Sequence, residues 1–439
     1  MNMLKNKFNL VCLKIIDQVF RPMDQGQLDI ILPDGEVYTY GSSNQGIQAK
    51  LYVNDMGFFR KCVLHGAVGF GESYTDGDWS TDSLVDVISW MIDNHKNHPT
   101  MSVGKRKANM VNFLHWANVL RSKFRINSLS GSKRNIMEHY DLGNEFFKTF
   151  LDPTMTYSAA YFSEEARTLE DAQLQKYDRL CQKLKIQPTD HVLEIGTGWG
   201  GFAVYAVEHY GCEVTTTTIS EEQYKYAKRK IASRGFSDKI NIKLCDYRNL
   251  KGTYDKIVSV EMIEAVGHKY YESYFKKCHD LLSKNGLLAL QMIQFPDHRY
   301  DDARKNIDWI QKYIFPGSLL PSNEAIHKAM KKTGTLGLFH YEDITPHYAK
   351  TLKIWREEFV NNIDKIEALG KDEVFKRKWV YYLAYCEAAF KMRHINVSQA
   401  VYTRSNNTTL HDSLEVELNT EDNQMLKRVS QRLSADFER

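Results

Sequence analysis

The chain has 439 residues, of which 43% are hydrophobic, 26% charged and 12% aromatic. These proportions are ordinary for a globular protein and exclude collagen-like, coiled-coil and largely disordered chains. No run approaches about 18 consecutive apolar residues, so no transmembrane helix is expected. The length is compatible with two or three domains.

The formal net charge of +3 conceals one strongly basic segment. Nine lysines and arginines and no acidic residue lie between Asn94 and Met137, whereas the rest of the chain has 49 basic and 55 acidic residues. The seven cysteines form no C-x-x-C pair, and His95 and His98 have no cysteine or carboxylate at ligand spacing. We therefore expect no metal site and no disulfide framework. A cytoplasmic location fits best, because lysines within the first 20 residues also argue against a secretory signal.

The first 93 residues predict a small α+β unit. Residues 28–32 and 37–40 flank the turn Pro33-Asp34-Gly35 and predict a β-hairpin, and apolar spacing predicts a helix over 82–92. The basic segment follows as a connector.

From about residue 134 to 345, predicted strands alternate with helices, which is typical of a parallel α/β sheet. The hydrophobic segment 395–402 predicts an additional edge strand. The predicted strands are 191–195, 213–218, 240–245, 256–261 and 286–294, and the predicted helices are 169–185, 201–209, 220–234, 270–284, 322–333, 349–368 and 371–392.

The most informative segment covers residues 192–201, where a buried strand leads into a glycine-rich turn and a helix. Glycines permit a tight turn and let a ligand approach backbone N–H groups at the helix N-terminus. Gly196, Gly198 and Gly201 satisfy the G-x-G-x-x-G pattern of dinucleotide dehydrogenases, and a turn without a ligand is the structural alternative.

Three features favour S-adenosylmethionine (SAM) over NAD at this turn. Glu194 lies two residues before the first glycine, where methyltransferases usually have an acid. Gly200 supplies a third glycine one position before Gly201, in the spacing G-x-G-x-G. The second strand ends at Thr218 without an acid for a ribose diol, and Gln223 is the nearest polar replacement.

Nine short motifs lie in order along the chain. They are GESYTDGDW at 71–79, HYDLGNEFF at 139–147, LDP at 151–153, MTYSAAYF at 155–162, EAVGH at 264–268, KYIFPG at 312–317, LPS at 320–322, PHYAKTL at 346–352 and YCEAAF at 385–390. Together they resemble the cyclopropane-fatty-acyl-phospholipid synthase family, in the family's order, over residues 55–403. The resemblance implies a class I SAM-methyltransferase fold, with a Rossmann-like sheet and helical insertions, preceded by a smaller α+β domain. It divides the chain into an N-terminal lipid-associated domain (1–93), a basic connector (94–133), a catalytic domain (134–405) and an acidic extension (406–439).

The resemblance implies that the enzyme transfers a methylene from SAM to the cis double bond of phospholipid acyl chains, through methyl transfer, a carbocation and deprotonation. It implies that the base is a bicarbonate ion held by Glu264, Tyr348 and the backbone N–H groups of Ala159 and Ile293. Gln291 stands where the family often has a histidine, and it can donate a hydrogen bond to an anion but carries no charge. Surface or capping roles for Glu264 and core packing for Tyr348 are the alternatives.

The same resemblance assigns the remaining site residues. Cys386 matches a cysteine that the family has been proposed to use, although a buried structural thiol is the alternative. The residues assigned to SAM are Tyr157, Ser158, Glu194, Gly196, Gly198, Gly200, Thr218, Ile219, Gln223, Tyr247 and Arg248.

Residues 110–124 combine apolar positions at helical spacing with basic residues, which predicts an amphipathic helix suited to an anionic lipid surface. Packing of its apolar face between the domains is the alternative. We expect a peripheral protein at the inner face of the membrane, no nucleic-acid binding, and by resemblance a homodimer.

Three other functions stay open. They are a fatty-acyl methyltransferase that forms a branched product, a small-molecule N-methyltransferase, and a lipid-binding protein without activity.

Overall fold

The computed structural model describes residues 2–42, 44, 46–94 and 142–410, with side chains from residue 7 onward. The predicted amphipathic helix at 110–124, His95, His98 and most of the acidic extension lie outside the described residues. Within the described part, no helix is long and apolar enough to cross a bilayer.

The N-terminal part is a four-stranded sheet packed against three helices. The sheet has the order β2-β1-β3-β4, and the predicted hairpin is confirmed because β1 and β2 pair antiparallel, with Ile31 opposite Val37. The predicted helix at 82–92 is also confirmed as α3. In chain order the elements are α1 (Asn2–Phe20), β1 (Gln27–Ile31), β2 (Val37–Gly41), β3 (Gln48–Val53), α2 (Gly57–Thr75), β4 (Trp79–Ser80) and α3 (Leu84–Asn94).

A seven-stranded sheet forms the larger part, in the order β10-β11-β9-β8-β5-β6-β7. Strands β9, β8, β5, β6 and β7 are parallel neighbours, which confirms the five predicted strands and the α/β fold class. The strands are β5 (His191–Ile195), β6 (Glu213–Thr218), β7 (Ile240–Leu244), β8 (Tyr254–Val260), β9 (Leu282–Gln294), β10 (Leu336–Asp343) and β11 (Asn396–Arg404).

Helices cover both faces of this sheet. Val192 packs in one buried cluster and its neighbour Leu193 in another, and successive strand residues point to opposite faces. The helices are α4 (Asn144–Phe147), α5 (Leu169–Lys183), α6 (Gly201–Tyr210), α7 (Glu221–Ser233), α8 (Tyr271–Leu281), α9 (Asp297–Ala303), α10 (Trp309–Tyr313), α11 (Asn323–Thr333), α12 (Thr345–Asn361), α13 (Ile363–Ala368) and α14 (Glu373–Lys391).

Two predictions are wrong in detail. The segment predicted as an edge strand is β11, an interior strand whose residues from Val397 to Thr403 are all buried. The edge is β10, which the sequence analysis missed because its side chains are mostly exposed and carry little apolar pattern. The predicted helix at 349–368 is two helices, α12 and α13. They meet at Asn362, whose side-chain amide donates to the Thr149 carbonyl at 2.9 Å.

A third buried cluster joins the N-terminal unit to α12 and α14. Trp379 on α14 packs against Phe146 with ring centroids 4.7 Å apart. Glu72 on α2 accepts hydrogen bonds from Lys312 and Tyr313, both at 2.5 Å. Two motifs that lie 240 residues apart in the sequence therefore contact each other. The domain boundaries stay a prediction.

Candidate active site

One large cavity of about 1660 Å³ opens at the carboxyl ends of the parallel strands. The last residues of three strands, Ile195, Thr218 and Val260, line it together with Ile293 of β9. From this edge the cavity continues to α1, α2 and α3 of the N-terminal unit. Ligands of open α/β sheets bind at this edge of the strands.

The glycine turn lies at one end of the cavity. Gly196 and Gly198 line the cavity with φ angles of 105° and 52°, a backbone region that glycine adopts without steric cost. A side chain on Gly198 would meet nothing within 4 Å, so the space above the turn is open. Gly200 does not line the cavity; it precedes α6 with a φ of 81°, and a Cβ there would contact Ala227 at 3.1 Å.

The other residues predicted to bind SAM surround the same end of the cavity. Tyr157 and Ser158 approach it from the loop after α4, and Gln223 lies in the first turn of α7. The remaining ones lie at or just after the ends of β5, β6 and β7: Glu194, Thr218, Ile219, Tyr247 and Arg248. Open glycine backbone beside polar and aromatic side chains fits the carboxylate, ribose and adenine groups of SAM.

Asp246 is an acid that the sequence analysis did not name. It lines the cavity immediately after β7, and its carboxylate accepts hydrogen bonds from Arg248 Nε at 2.8 Å and Nη2 at 2.6 Å. Asp246 thus fixes the guanidinium of Arg248. The signal for Asp246 was its position after a parallel strand, at the edge where ligands bind.

Two buried ionisable groups lie beneath the turn. Glu194 accepts a hydrogen bond from Thr216 Oγ1 at 2.5 Å, and burial raises the pKa of its carboxyl to about 8. Lys176 on α5 donates to Ser158 Oγ at 2.8 Å, and burial lowers the pKa of its ammonium to about 8. Lys176 was not predicted as a site residue, although its spacing from Ala172 and Leu180 places it on the buried face of α5.

Glu261, also missed, is the residue before Met262, which packs against Gly196 of the glycine turn. It follows β8, and its Oε1 accepts hydrogen bonds from the Ala159 N–H and from Gln291 Nε2, both at 2.8 Å. The Tyr348 hydroxyl donates to its Oε2 at 2.9 Å. Three groups that the resemblance assigned to bicarbonate therefore bind one carboxylate of the chain itself.

Glu264 lies beside this carboxylate and differs from it in its contacts. Its Oε1 accepts the Ile293 N–H at 2.6 Å, whereas its buried Oε2 has no hydrogen-bond partner among the described residues. Burial, together with the charge of Glu261, raises the pKa of Glu264 to about 8. Glu264 is therefore protonated at neutral pH.

Gln291 is fixed on both sides of its amide. Its nitrogen donates to Glu261 and to the Ala159 carbonyl at 3.0 Å, and its oxygen accepts from Gln399 Nε2 at 3.0 Å. Gln291 and Ala159 do not line the cavity. Both donate hydrogen bonds to Glu261 from outside the cavity lining.

A bicarbonate ion does not fit among these groups while Glu261 occupies them. The groups from Ala159, Gln291 and Tyr348 are bound to Glu261, and the Ile293 N–H is bound to Glu264. A second anion would lack these donors and would face the carboxylate of Glu261.

Cys386 on α14 lies farther along the cavity. Burial raises the pKa of its thiol, so it is not a thiolate at neutral pH. Among the residues that the structure describes, no cluster of His, Cys, Asp or Glu is arranged to hold a metal ion.

Residues 127–400 match the family described as mycolic acid cyclopropane synthetase. The chain belongs to this family. It is 41% identical to the tuberculostearic acid methyltransferase UfaA1 of Mycobacterium tuberculosis, over 77% of this chain and 79% of that protein. It is 36% identical to the cyclopropane-fatty-acyl-phospholipid synthase of Escherichia coli, over 82% of this chain and 89% of that protein.

Solved structures of the cyclopropane synthetase family match a large part of this chain. The cyclopropane synthase MmaA2 from Mycobacterium tuberculosis has a TM-score of 0.58 at 31% identity, covering 62% of this chain and 98% of that chain. The mycolic acid cyclopropane synthase CmaA1, complexed with SAH and CTAB, has a TM-score of 0.58 at 32% identity, covering 62% and 98%. The protein is thus a SAM-dependent methyltransferase of the cyclopropane synthetase family.

The raised pKa of Glu264 makes stability depend on pH in a definite direction. In the unfolded chain its carboxyl ionises near 4.5, whereas in the folded protein it keeps its proton up to about pH 8. Unfolding in this window releases a proton, so the Glu264 contribution to the free energy of unfolding falls by up to about 1.4 kcal/mol per pH unit as pH rises. Glu264→Gln removes this contribution. In urea titrations from pH 5 to 8, the variant should gain stability relative to the wild type; parallel curves would contradict the assignment.

Proposed function

We propose that this enzyme transfers a methyl group from SAM to the cis double bond of an unsaturated phospholipid acyl chain and closes a cyclopropane ring. The observation that carries this proposal is the continuity of the cavity. It runs from the glycine turn, past Glu261, Glu264 and Tyr348, into the apolar interior of the N-terminal unit.

The size and lining of the cavity favour a long apolar substrate beside SAM. Its volume of about 1660 Å³ exceeds the ~300–1,000 Å³ of ordinary small-molecule pockets. Beyond Tyr348 it is lined by aromatic and aliphatic side chains such as Phe315, Tyr382 and Phe390. Such a lining accepts an acyl chain and excludes water.

The chain's own residues supply what the reaction requires at this position. When bound, SAM supplies a methyl group activated by a positively charged sulfur. Attack by a double bond leaves positive charge on the acyl chain, and aromatic faces stabilise a cation in a dry pocket. The Tyr348 hydroxyl contacts the carboxylate of Glu261, and the Tyr348 ring packs against Phe390 with centroids 4.5 Å apart. A base at that position completes the reaction by removing a proton.

A branched product is the second candidate. It is favoured by the 41% identity to a protein named tuberculostearic acid methyltransferase, which exceeds the 36% identity to the cyclopropane-fatty-acyl-phospholipid synthase. Both products gain one methyl-derived carbon, and they differ in whether a ring closes.

Expression in a bacterium that lacks cyclopropane lipids tests the proposal. We expect unsaturated acyl chains to gain one CH₂ by mass spectrometry, with cyclopropane signals in the proton NMR spectrum of the lipids. Methylene or methyl signals would identify the branched product instead. Unchanged lipids in cells with folded, SAM-binding protein would contradict both and favour a small-molecule methyltransferase. Absence of SAM binding would favour a lipid-binding protein without activity.

Helix α1 suggests how the enzyme reaches a lipid surface. Phe8, Leu10, Val11 and Ile15 are exposed, each by 41–52%. Ile15 also lines the cavity, so this exposed apolar surface is continuous with the proposed acyl site. We propose that α1 binds the membrane together with the basic connector, at the cytoplasmic face, where anionic lipids attract lysine and arginine.

Vesicle co-sedimentation should show binding to phosphatidylglycerol vesicles that weakens with salt. The double variant Phe8→Ser/Val11→Ser should bind at least about tenfold more weakly, because each side chain loses apolar burial. A matched control, Leu369→Ser/Val374→Ser, removes residues exposed to 42% and 48% elsewhere and should bind normally. Equal binding to neutral phosphatidylcholine vesicles would contradict the electrostatic contribution. If size-exclusion chromatography shows that the α1 variant dissociates a dimer while vesicle binding persists, α1 is a dimer contact instead.

A further inference from the structure

We propose that Glu261 is itself the base that deprotonates the reacting acyl chain, in the place that the resemblance assigns to a bicarbonate ion. The inference rests on the proposed function and deepens it. The groups expected to hold the bicarbonate ion are already bound to Glu261 and Glu264.

The contacts of Glu261 are those expected for a bound anion. A carboxylate has the same planar arrangement of two oxygens around carbon as bicarbonate, and it accepts about four hydrogen bonds. Glu261 receives three, from Ala159, Gln291 and Tyr348, at 2.8–2.9 Å. One acceptor position on Oε2 is left, and Glu261 lines the cavity into which the acyl chain is proposed to enter.

The backbone of Glu261 supports a functional role for its side chain. Its φ angle is 48°, in the left-handed region, which a residue with a side chain adopts only with strain and which glycine adopts freely. Strain of this kind persists where the surrounding structure requires it and concentrates at active sites. Here the strained backbone directs a carboxylate into a set of three donors.

The two neighbouring acids, Glu261 and Glu264, have different surroundings that favour different protonation states. Burial raises the pKa of Glu261, whereas the hydrogen bonds from Gln291 and Ala159 and the charge of Lys176 favour its ionised form. Glu264 has one hydrogen bond, and burial together with the charge of Glu261 favours its protonated form. A desolvated carboxylate is a stronger base than one in water, which suits removal of a proton from carbon.

The step balances without a further reactant. The π electrons of the alkene form the new C–CH₃ bond as the C–S bond of the donor breaks and its electron pair stays on sulfur. Positive charge is left on the other alkene carbon. Glu261 Oε2 then takes a proton from the new methyl group, and the electrons of that C–H bond form the C–C bond that closes the ring. The proton passes from Glu261 to water after the product leaves.

Bicarbonate independence is the first test, made on the full-length enzyme with phosphatidylglycerol vesicles that carry oleoyl chains. We expect turnover in carbon-dioxide-depleted buffer to be unchanged when bicarbonate is added. We also expect ¹³C-bicarbonate to show no NMR line broadening with the wild-type protein. Turnover that rises severalfold with bicarbonate, or broadening in the wild type, would overturn the inference.

Variants of Glu261 form the second test. Glu261→Gln keeps the shape but cannot accept the proton, and should lower turnover at least about 100-fold with unchanged SAM affinity. Glu261→Gly removes the strain and empties the donor set, so it should broaden the ¹³C-bicarbonate signal and regain turnover as bicarbonate is added. Retention of turnover in Glu261→Gln would contradict the proposal.

The control is Glu213→Gln, an exposed glutamate at the opposite end of β6, which should leave turnover unchanged. If the wild type binds SAM but modifies no lipid, the proposed function fails. The binding comparison between wild type and Glu261→Gly still decides whether Glu261 occupies the anion site.

Discussion

Tyr348→Phe is expected to lower turnover about 10- to 100-fold while SAM affinity stays within twofold of the wild type. The change removes one hydroxyl that donates to Glu261 Oε2 at 2.9 Å. A hydrogen bond to a charged group contributes about 1.5–3 kcal/mol, and each 1.4 kcal/mol is a factor of ten in rate. The Tyr348 ring packs against Trp355 and Phe390. Its pKa is held well above the usual range by burial, so it is a donor at every working pH.

The pH profile separates this role from a loss of packing. Without the Tyr348 donor, the ionised form of Glu261 is less stable, its pKa rises further, and the acid limb of the turnover profile should move to higher pH. Tyr210→Phe is the matched control, because Tyr210 also donates to a carboxylate, Asp178 at 2.7 Å, away from the cavity. Equal loss of turnover and SAM affinity in Tyr348→Phe would argue for a structural role.

Gly196→Ala should weaken SAM binding at least about tenfold, or about 1.4 kcal/mol, in isothermal titration calorimetry. Gly196 lines the cavity with a φ of 105°, which a residue with a side chain adopts only with strain. The added Cβ would lie 3.3 Å from the Cβ of Met262, another residue of the cavity wall. Either the turn or the Met262 side chain must shift, and both belong to the cavity wall at which the methyl donor is expected to bind.

Gly235→Ala provides the control for backbone strain alone. Gly235 has a φ of 76° and lies outside the cavity after α7, and a Cβ added there would meet no atom within 4 Å. Both variants should lose about 1 kcal/mol of stability in urea titrations, but only Gly196→Ala should lose SAM affinity. Unchanged affinity in both variants would show that the turn does not hold the methyl donor.

The fold and the methyl-donor end of the site were predictable because their signals are local. The strand, turn and helix from residue 191 to 210 are read from apolar runs and glycines that adjoin in the sequence. The interior position of β11 was not predictable from the sequence, since it depends on pairing with β9 more than 100 residues earlier. A hydrophobic segment predicts a strand, but its neighbours in the sheet are set by packing.

The environment of Glu261 was predictable only as a set of residue types. Sequence motifs identified Glu264, Tyr348, Gln291 and Ala159 but not what they bind. Glu261 was treated as the last residue of a strand, although an acid at the carboxyl end of a parallel strand was the available signal. Lys176 was missed because its helix is mostly polar, although its spacing from Ala172 and Leu180 places it on the buried face.

The sequence by itself determined which groups are available to this protein: a glycine-rich turn after a buried strand, several carboxylates and tyrosines that can exchange protons, and many apolar side chains. Only the tertiary structure decided which carboxylate meets the donors. The residues that bind Glu261 lie 102, 30 and 87 positions away from it. Hydrogen bonds depend on distances of about 3 Å between side chains, and folding alone sets such distances between residues so far apart in the chain.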